Sequence, residues 1–548
     1  MKRLILSLVF ALAAIQLSLS QPFSYHWATG FGGRAQYSGK VDMVYSDFGL
    51  LYMTGDFTGT RLFGTTNKTA VGYSDMYVTM VDTGGTVQWV VTGGSMFSYA
   101  YASAIVRDNS SNTYVVGHFT GTFSIGAFTE GSAGQNDIYI AKLDFAGNPV
   151  WLKRAGGSSF DEAKSIYCDG NSLYITGYFT NAATFGTVNL TSSGTNDQEI
   201  YLAKYDLNGT CLWAKSAGGT GEERGNSILK DIQGNVAITG EFSGVASFGS
   251  NSVTSSAFSD LFVAKYDDSG NNIWVKRGGG SSSDIGISIG FDQTGNYYVC
   301  GNYTNTAGFG LDSVYDNGYG NVFMTKLNAS GAFQWAKGGG SASGDGVFDM
   351  SVNRKDGNCY LTGFLNGSGF FSGTSIPSSG LNDAFILRYN NAGTVMFGLN
   401  IGGNNYDQGK TIAADEGGGV VYVGGEYTGS VSIGTNTLPV PPPSVWYQYV
   451  ARISTGTVGV QEHGFASSAM QLFPNPAHDF MSVMLDDEIQ GEARIEVTDV
   501  SGRQVYSASE QLNGKVITIP VSAISAGRYT LSVKHGNAEI HSGFVVID

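Results

Sequence analysis

The sequence predicts an all-β protein: a seven-bladed β-propeller of four-stranded blades followed by a small Ig-like β-sandwich. Three observations carry that prediction. A text repeats seven times at intervals of 61 or 62 residues, each repeat reads as four strands, and the grammar changes after residue 455.

The repeat is set by tryptophan. Trp27, Trp89, Trp151, Trp213, Trp274 and Trp335 are spaced by 62, 62, 62, 61 and 61 residues, and Phe397 stands 62 further on. Around them similar words recur, as in Trp151-Leu-Lys-Arg-Ala-Gly-Gly157 and Trp213-Ala-Lys-Ser-Ala-Gly-Gly219. In the third unit, alternation and turn chemistry predict strands over Lys164 to Cys168, Ser172 to Thr180, Glu199 to Asp206 and Cys211 to Ser216. Between the second and third of these, a long polar loop holds Thr184-Phe-Gly186. The third strands place an aromatic at Tyr77, Tyr139, Tyr201, Phe262, Phe323, Phe385 and Tyr449, usually followed three residues on by Lys or Arg. The chain opens with a Trp strand (Phe23 to Gly30), and its last repeat stops after a third strand (Trp446 to Ser454). The first strand is therefore expected to complete the last blade and leave no open edge.

Composition agrees with short buried strands and tight turns. Glycine is 79 of 548 residues, about twice the usual ~7%. A formal net charge of −15 argues against a nucleic-acid partner, which needs a basic face. Residues 1–20 read as a secretory signal: Lys2 and Arg3, an apolar run from Leu4 to Leu17, then Ser18-Leu-Ser20. No second apolar stretch follows, so no transmembrane segment is expected once the signal is removed. Cys168, Cys211, Cys300 and Cys359 have no metal-ligand spacing and fall at different places in their repeats, which favours free thiols.

The domains follow: signal peptide 1–20, propeller 21–455, polar linker 456–470, and a C-terminal domain 471–548. Within the last, strands are expected over Phe480 to Leu485, Ala493 to Asp499, Val516 to Pro520, Tyr529 to Lys534 and Ile540 to Val546.

Two resemblances attach to these motifs. The text Asp-x-x-Gly-Asn, Gly-x-Phe-Thr-Gly, Lys-Tyr-Asp-x-x-Gly and Trp-x-Lys resembles the SBBP-type β-propeller repeats of bacterial secreted proteins. The tail carries Phe473-Pro-Asn-Pro476, Asp499-Val-Ser-Gly-Arg503 and Ala526-Gly-Arg-Tyr529 in order. It resembles the type A C-terminal sorting domain of the Bacteroidota type IX secretion system. That resemblance implies export across the outer membrane, with the secretion machinery as partner and attachment to the surface or release as the outcome. Its motif residues here are Pro474, Asn475, Pro476, Asp499, Gly502, Arg503, Gly527 and Tyr529.

Chemistry is sparse. Gly286-Ile-Ser288-Ile-Gly290 fits a nucleophile-elbow pattern, but Ser288 stands inside a first strand in register with Ser165, Ser227 and Thr411. Only His26 and His118 occur in the propeller, which argues against an imidazole metal site or a Ser/His catalytic pair. No cofactor or metal is expected, and a monomeric, non-catalytic protein is favoured over an enzyme. Acids recur after the Gly-Gly turn at Asp161, Glu223, Asp284, Asp345 and Asp407, as a feature that serves each blade by accepting backbone N–H groups. By contrast, the residue after the second-strand glycine varies: Asp56, His118, Tyr178, Glu241, Asn302, Phe364 and Glu426. This ring is the candidate recognition surface for an extracellular glycan or protein. The rival reading is an extracellular hydrolase or lyase of polysaccharide or protein, working through loop-face carboxylates.

Overall fold

Alternating burial along short glycine-bounded segments yields strands throughout. The computed structural model describes residues 24–35, 39–46, 49–316, 319–378, 380–415, 419–454, 470–473, 480–499, 503–525, 527–535 and 538–546. Among these the secondary structure is all β, in antiparallel sheets without a helix. The signal segment lies outside them.

Each repeat is a four-stranded antiparallel meander. The third runs Glu162–Cys168, Ser172–Thr180, Gln198–Asp206 and Cys211–Gly219, paired in sequence order. These bounds exceed the sequence expectation by up to three residues, because the Gly-Gly segment stays extended and goes on pairing. Its partner corrects another expectation. The stretch around Thr184-Phe-Gly186 is no open loop but a hairpin, Ala182–Phe185 with Val188–Thr191. The hairpin pairs onto the last strand of the preceding unit, Gly156 opposite Thr184 and Gly157 opposite Ala183. Phe185 is buried there, 4.7 Å centroid to centroid from Tyr201.

The seven first strands are Val41–Tyr45, Ala100–Arg107, Glu162–Cys168, Arg224–Lys230, Ile285–Phe291, Gly346–Val352 and Asp407–Ala414. They lie side by side in that order, and the seventh also lies against the first. The last unit takes its fourth strand from the start of the chain: Ser24–Ala35 pairs antiparallel with Val445–Ser454, Ser24 opposite Ser454.

The recurring tryptophan joins neighbouring units. Trp27, Trp151, Trp213 and Trp335 each donate their indole N–H to a backbone carbonyl in the tight turn of the next unit, at 2.7–3.2 Å. Each ring lies over the glycine of that turn. Gly85 adopts φ 84°, and a Cβ there would stand 2.7 Å from the Trp27 ring, so this turn requires glycine. The recurring third-strand cation lies over a second-strand tyrosine, as with Lys142 on Tyr114 and Lys204 on Tyr174. Large aromatics alternate with small residues, so the cores between units interdigitate, for example Tyr201, Ala203 and Phe185 in one cluster.

In the tail, Met470–Phe473, Phe480–Asp499, Gly527–His535 and Ala538–Val546 form one antiparallel sheet, with Gln504–Pro520 paired to Phe480–Asp499. The strands expected over Phe480 to Leu485 and Ala493 to Asp499 are one continuous element. The register shifts between Met484 and Ile489, so the same strand changes partner residues without ending. All four cysteines are free.

Candidate functional site

The first strands carry a shared irregularity. In six of the seven, one extra residue interrupts the pairing with the second strand, for example between Ala102 and Ala104 or between Val347 and Asp349. The extra residues are Ser103, Lys164, Asn226, Ile287, Phe348 and Lys410. Val41–Tyr45 pairs without one. A bulge re-aims the side chain it carries. All six line a single cavity of about 380 Å³, together with Lys40 and Asp42 from the first unit.

Past five of the six bulges, and at Asp42 on the strand without one, side chains link neighbouring first strands. Asp42 accepts the N–H of Ile105, Ser165 that of Ile228, Ser227 that of Ile289 and Asp349 that of Ile412. Thr411 Oγ1 lies 3.2 Å from both Asp42 Oδ1 and Asp349 Oδ2, and Ser288 Oγ lies 3.2 Å from Asp349 Oδ1. Ser288 is thus one link in a belt of like positions. Asp42 and Asp349 also line a second cavity of about 540 Å³, so the two spaces meet at this pair. Burial, and then the neighbouring Asp42, push the Asp349 carboxyl up to about 7. Burial also raises Asp42, with Lys40 opposing.

Three ammonium groups serve the cavity. Lys164 pairs with Glu162 at 2.6 Å. Burial tends to raise the Glu162 carboxyl, but His118 and Lys164 hold it down at about 2. Lys40 donates to the Lys164 carbonyl at 2.8 Å, and burial lowers its pKa to about 8. Its side chain is accessible from the cavity yet enclosed by protein, which reconciles an exposed surface with a strong burial effect. Lys410 Nζ sits 3.9 Å from the centre of the Phe348 ring, and burial lowers its pKa too.

The seven candidate recognition residues stand immediately behind this lining, buried or half-buried. Glu426 accepts the N–H of Gly39, next to Lys40, at 2.8 Å. Asn302 Oδ1 accepts the N–H of Val347, next to Phe348, and Phe364 packs on Phe348 itself at 5.6 Å. His118 Nε2 lies 3.8 Å from Glu162, and Lys164 lies over Tyr178. Burial lowers the His118 pKa to about 4, so the ring is neutral near neutral pH. Glu241 pairs with Arg224 at 3.2 Å and Asp56 with Arg34 at 2.8 Å. Asp56, Tyr178, Phe364 and Glu426 thus touch the cavity residues Lys40, Lys164, Phe348 and Gly39, while His118 and Asn302 hold the neighbours of Lys164 and Phe348.

The cavity-lining residues themselves were missed in the sequence. A signal existed: Ala102-Ser-Ala104, Ala163-Lys-Ser165, Gly225-Asn-Ser227 and Gly409-Lys-Thr411 each frame a variable residue between small ones.

The recurring acids behave differently. Gly157, Gly219, Gly280 and Gly403 donate their N–H to Asp161, Glu223, Asp284 and Asp407 at 2.6–3.0 Å, and Ser341 does so to Asp345. Each acid thus closes its own turn four residues back. Among the described residues no group of three or more His, Cys, Asp or Glu side chains is placed to hold a metal ion. No helix there is long and apolar enough to cross a membrane.

In the tail, Asp499 accepts the Arg503 backbone N–H and pairs with its guanidinium at 3.0 Å. Tyr529 donates its hydroxyl to the Ser525 carbonyl and packs against Phe544, while Gly527 begins the same strand. Pro474, Asn475, Pro476 and Gly502 lie outside the described residues.

Among curated proteins, the chain is 22% identical over 393 residues to an uncharacterized WD repeat-containing protein of Acanthamoeba polyphaga mimivirus, covering 54% of this chain and 28% of that protein. It is 24% identical over 325 residues to the regulatory protein FlaEY of Caulobacter vibrioides, covering 56% and 34%. The chain thus spans about a third or less of the length of these relatives. Among solved structures, the extracellular domain of a putative hybrid two-component system of B. thetaiotaomicron aligns over 95% of this chain and 100% of that one, with a TM-score of 0.17 and 9% identity. A member of the DUF4221 family from Bacteroides vulgatus aligns over 62% and 92%, with a TM-score of 0.29 and 10% identity. Residues 471–547 match the family described as the secretion system C-terminal sorting domain. By that domain the protein is exported through type IX secretion to the cell surface or the extracellular space.

Proposed function

We propose that this is an exported binding protein: a seven-bladed propeller of the SBBP type that takes an extracellular ligand, glycan or protein, into its central cavity and does not transform it. The mature chain would comprise the propeller to residue 455, a linker over 456–470 and the sorting domain from 471, after removal of residues 1–20. The cyclic order of the first strands and the seam between Ser24–Ala35 and Val445–Ser454 support a closed ring. A sandwich for the tail is supported by one core shared between Met481, Val483, Ile517 and Ile519 on one stretch and Ile495, Leu531 and Phe544 on the other.

The observation that carries the binding reading is that one cavity collects side chains from all seven first strands, most of them re-aimed by a bulge. Asp56, His118, Tyr178, Glu241, Asn302, Phe364 and Glu426 then act as its supporting ring. The hydrolytic reading has one argument: Asp349 is raised to about 7 beside Asp42, itself raised by burial, so two carboxyls share one enclosed place. Against it, the pair is built into the belt between first strands, its oxygens lying within hydrogen-bond distance of Ile105, Thr411, Ser288 and Ile412, which gives both carboxyls a structural role.

Incubating the exported protein with a glycan and peptide array, scored for both retention and product release, tests the choice. Retention without shorter products supports binding; release of shorter products overturns it in favour of a hydrolase or lyase.

A further inference from the structure

Resting on that reading, we propose that the central cavity selects an acidic sugar, whose carboxylate or sulfate is held between Lys40 and Lys410.

A charge surrounded by protein is held best when it is paired or hydrogen-bonded. Lys164 has its carboxylate in Glu162. Lys40 and Lys410 do not: among the described residues neither forms an ion pair, and the carboxylates that act on them, Asp42, Asp349 and Glu162 on Lys40 and Glu426 on Lys410, are already engaged by backbone N–H groups or by Lys164. The two aspartates on the cavity floor cannot turn to them without giving up the belt that joins neighbouring first strands. An entering anion meets two under-paired ammonium groups and displaces no ion pair.

The rest of the wall suits a polyhydroxylated ring. Ser103, Ser165, Asn226 and Ser227 present hydroxyl and amide groups from three successive units. Ser165 and Ser227 accept backbone N–H groups with their oxygens, which leaves their hydroxyl protons for a ligand. The Phe348 ring is occupied by Lys410 on one side and Phe364 on another, so it offers no clear face for an apolar side chain. The volume, about 380 Å³, falls in the ~300–1,000 Å³ range of small-ligand sites. A net charge of −15 also means that the molecule as a whole repels polyanions, so capture of an acidic ligand must be local.

The test is calorimetric titration of the full exported chain with oligogalacturonate and its methyl ester, and with sulfated and unsulfated dextran oligomers. An acidic oligomer should bind at least tenfold tighter than its neutral counterpart, with affinity falling as salt rises. The pair that discriminates identifies carboxylate or sulfate. Lys40→Gln with Lys410→Met should abolish that preference while the melting temperature holds. Equal binding of neutral and acidic oligomers, lost in Asn226→Ala with Ser103→Ala, would sink the acidic preference but keep the cavity as the site. Acidic binding unchanged in the lysine variant would place the site elsewhere and overturn both readings. No binding of any of the four oligomers would overturn the acidic-sugar assignment.

Discussion

The Gly-Gly turns and the first-strand bulges are built from the same repeat and have gone opposite ways. In the turns of five units the residue is an Asp or Glu that accepts the backbone N–H four residues back. At the bulges, Ser103, Lys164, Asn226, Ile287, Phe348 and Lys410 share a backbone irregularity while ranging from hydroxyl and amide to ammonium, aliphatic and aromatic side chains. Repetition marks what the units share in order to fold. Divergence on a conserved backbone marks where the units answer to something outside themselves.

The sharpest way to break this comparison is to damage a turn. Gly279 adopts φ 131°, and a Cβ there would come within 2.6 Å of Asp260 Oδ1. Gly279→Ala should cost about 2–4 kcal/mol, combining positive-φ strain with a buried clash. Chemical denaturation would measure it, and a loss below a tenth of that would show the turn to be soft. Asp284→Ala removes the acceptor of the Gly280 N–H, and the expected loss is ~1–3 kcal/mol.

A pH scan separates the two regions next. Burial first, with a neighbouring acid adding to it, raises Asp161, Glu223 and Asp284 to about 7; Asp407 is raised likewise. A carboxyl raised above its unfolded value of about 4 binds its proton more tightly in the folded state. The stability this lends is complete below pH ~4 and is lost as pH rises through about 7. Thermal melting should therefore fall between pH 5 and pH 8, and Asp284→Asn should shallow the slope. A melting temperature that climbs over that range would contradict the raised carboxyls. The smallest effect belongs to the bulges: Lys410→Met should shift stability by less than about 0.5 kcal/mol, as for other cavity-facing substitutions outside the core.

Much of this was readable in the sequence because turn chemistry and alternation are local. The four strands of the third unit, the N–H-accepting acids and the partnership of the first and last strands all followed from residues a few positions apart or from the repeat register. Ser288 could be set aside because Ser165 and Ser227 stood in the same place. The hairpin at Ala182–Phe185 escaped because its two strands have four residues each, too few for a period to show. The cavity lining escaped for another reason. A bulge inserts a residue between two that alternate, so Lys164 and Phe348 point where strict alternation would not send them. The variable position that plain alternation exposes is the facing second-strand one, a layer behind the lining.

The seam between Ser24 and Ser454 has a kinetic consequence. Its two halves are the earliest and the latest strands of the repeat region to be synthesised. Closing a loop of that length costs chain entropy that must be met before the contact returns anything. Six units can form from neighbours as the chain lengthens, whereas the seventh must wait for the whole region. Registration of that last strand is thus the expected slow step of refolding, and a chain halted before it would keep the edge of Val445–Ser454 open to pairing with another copy.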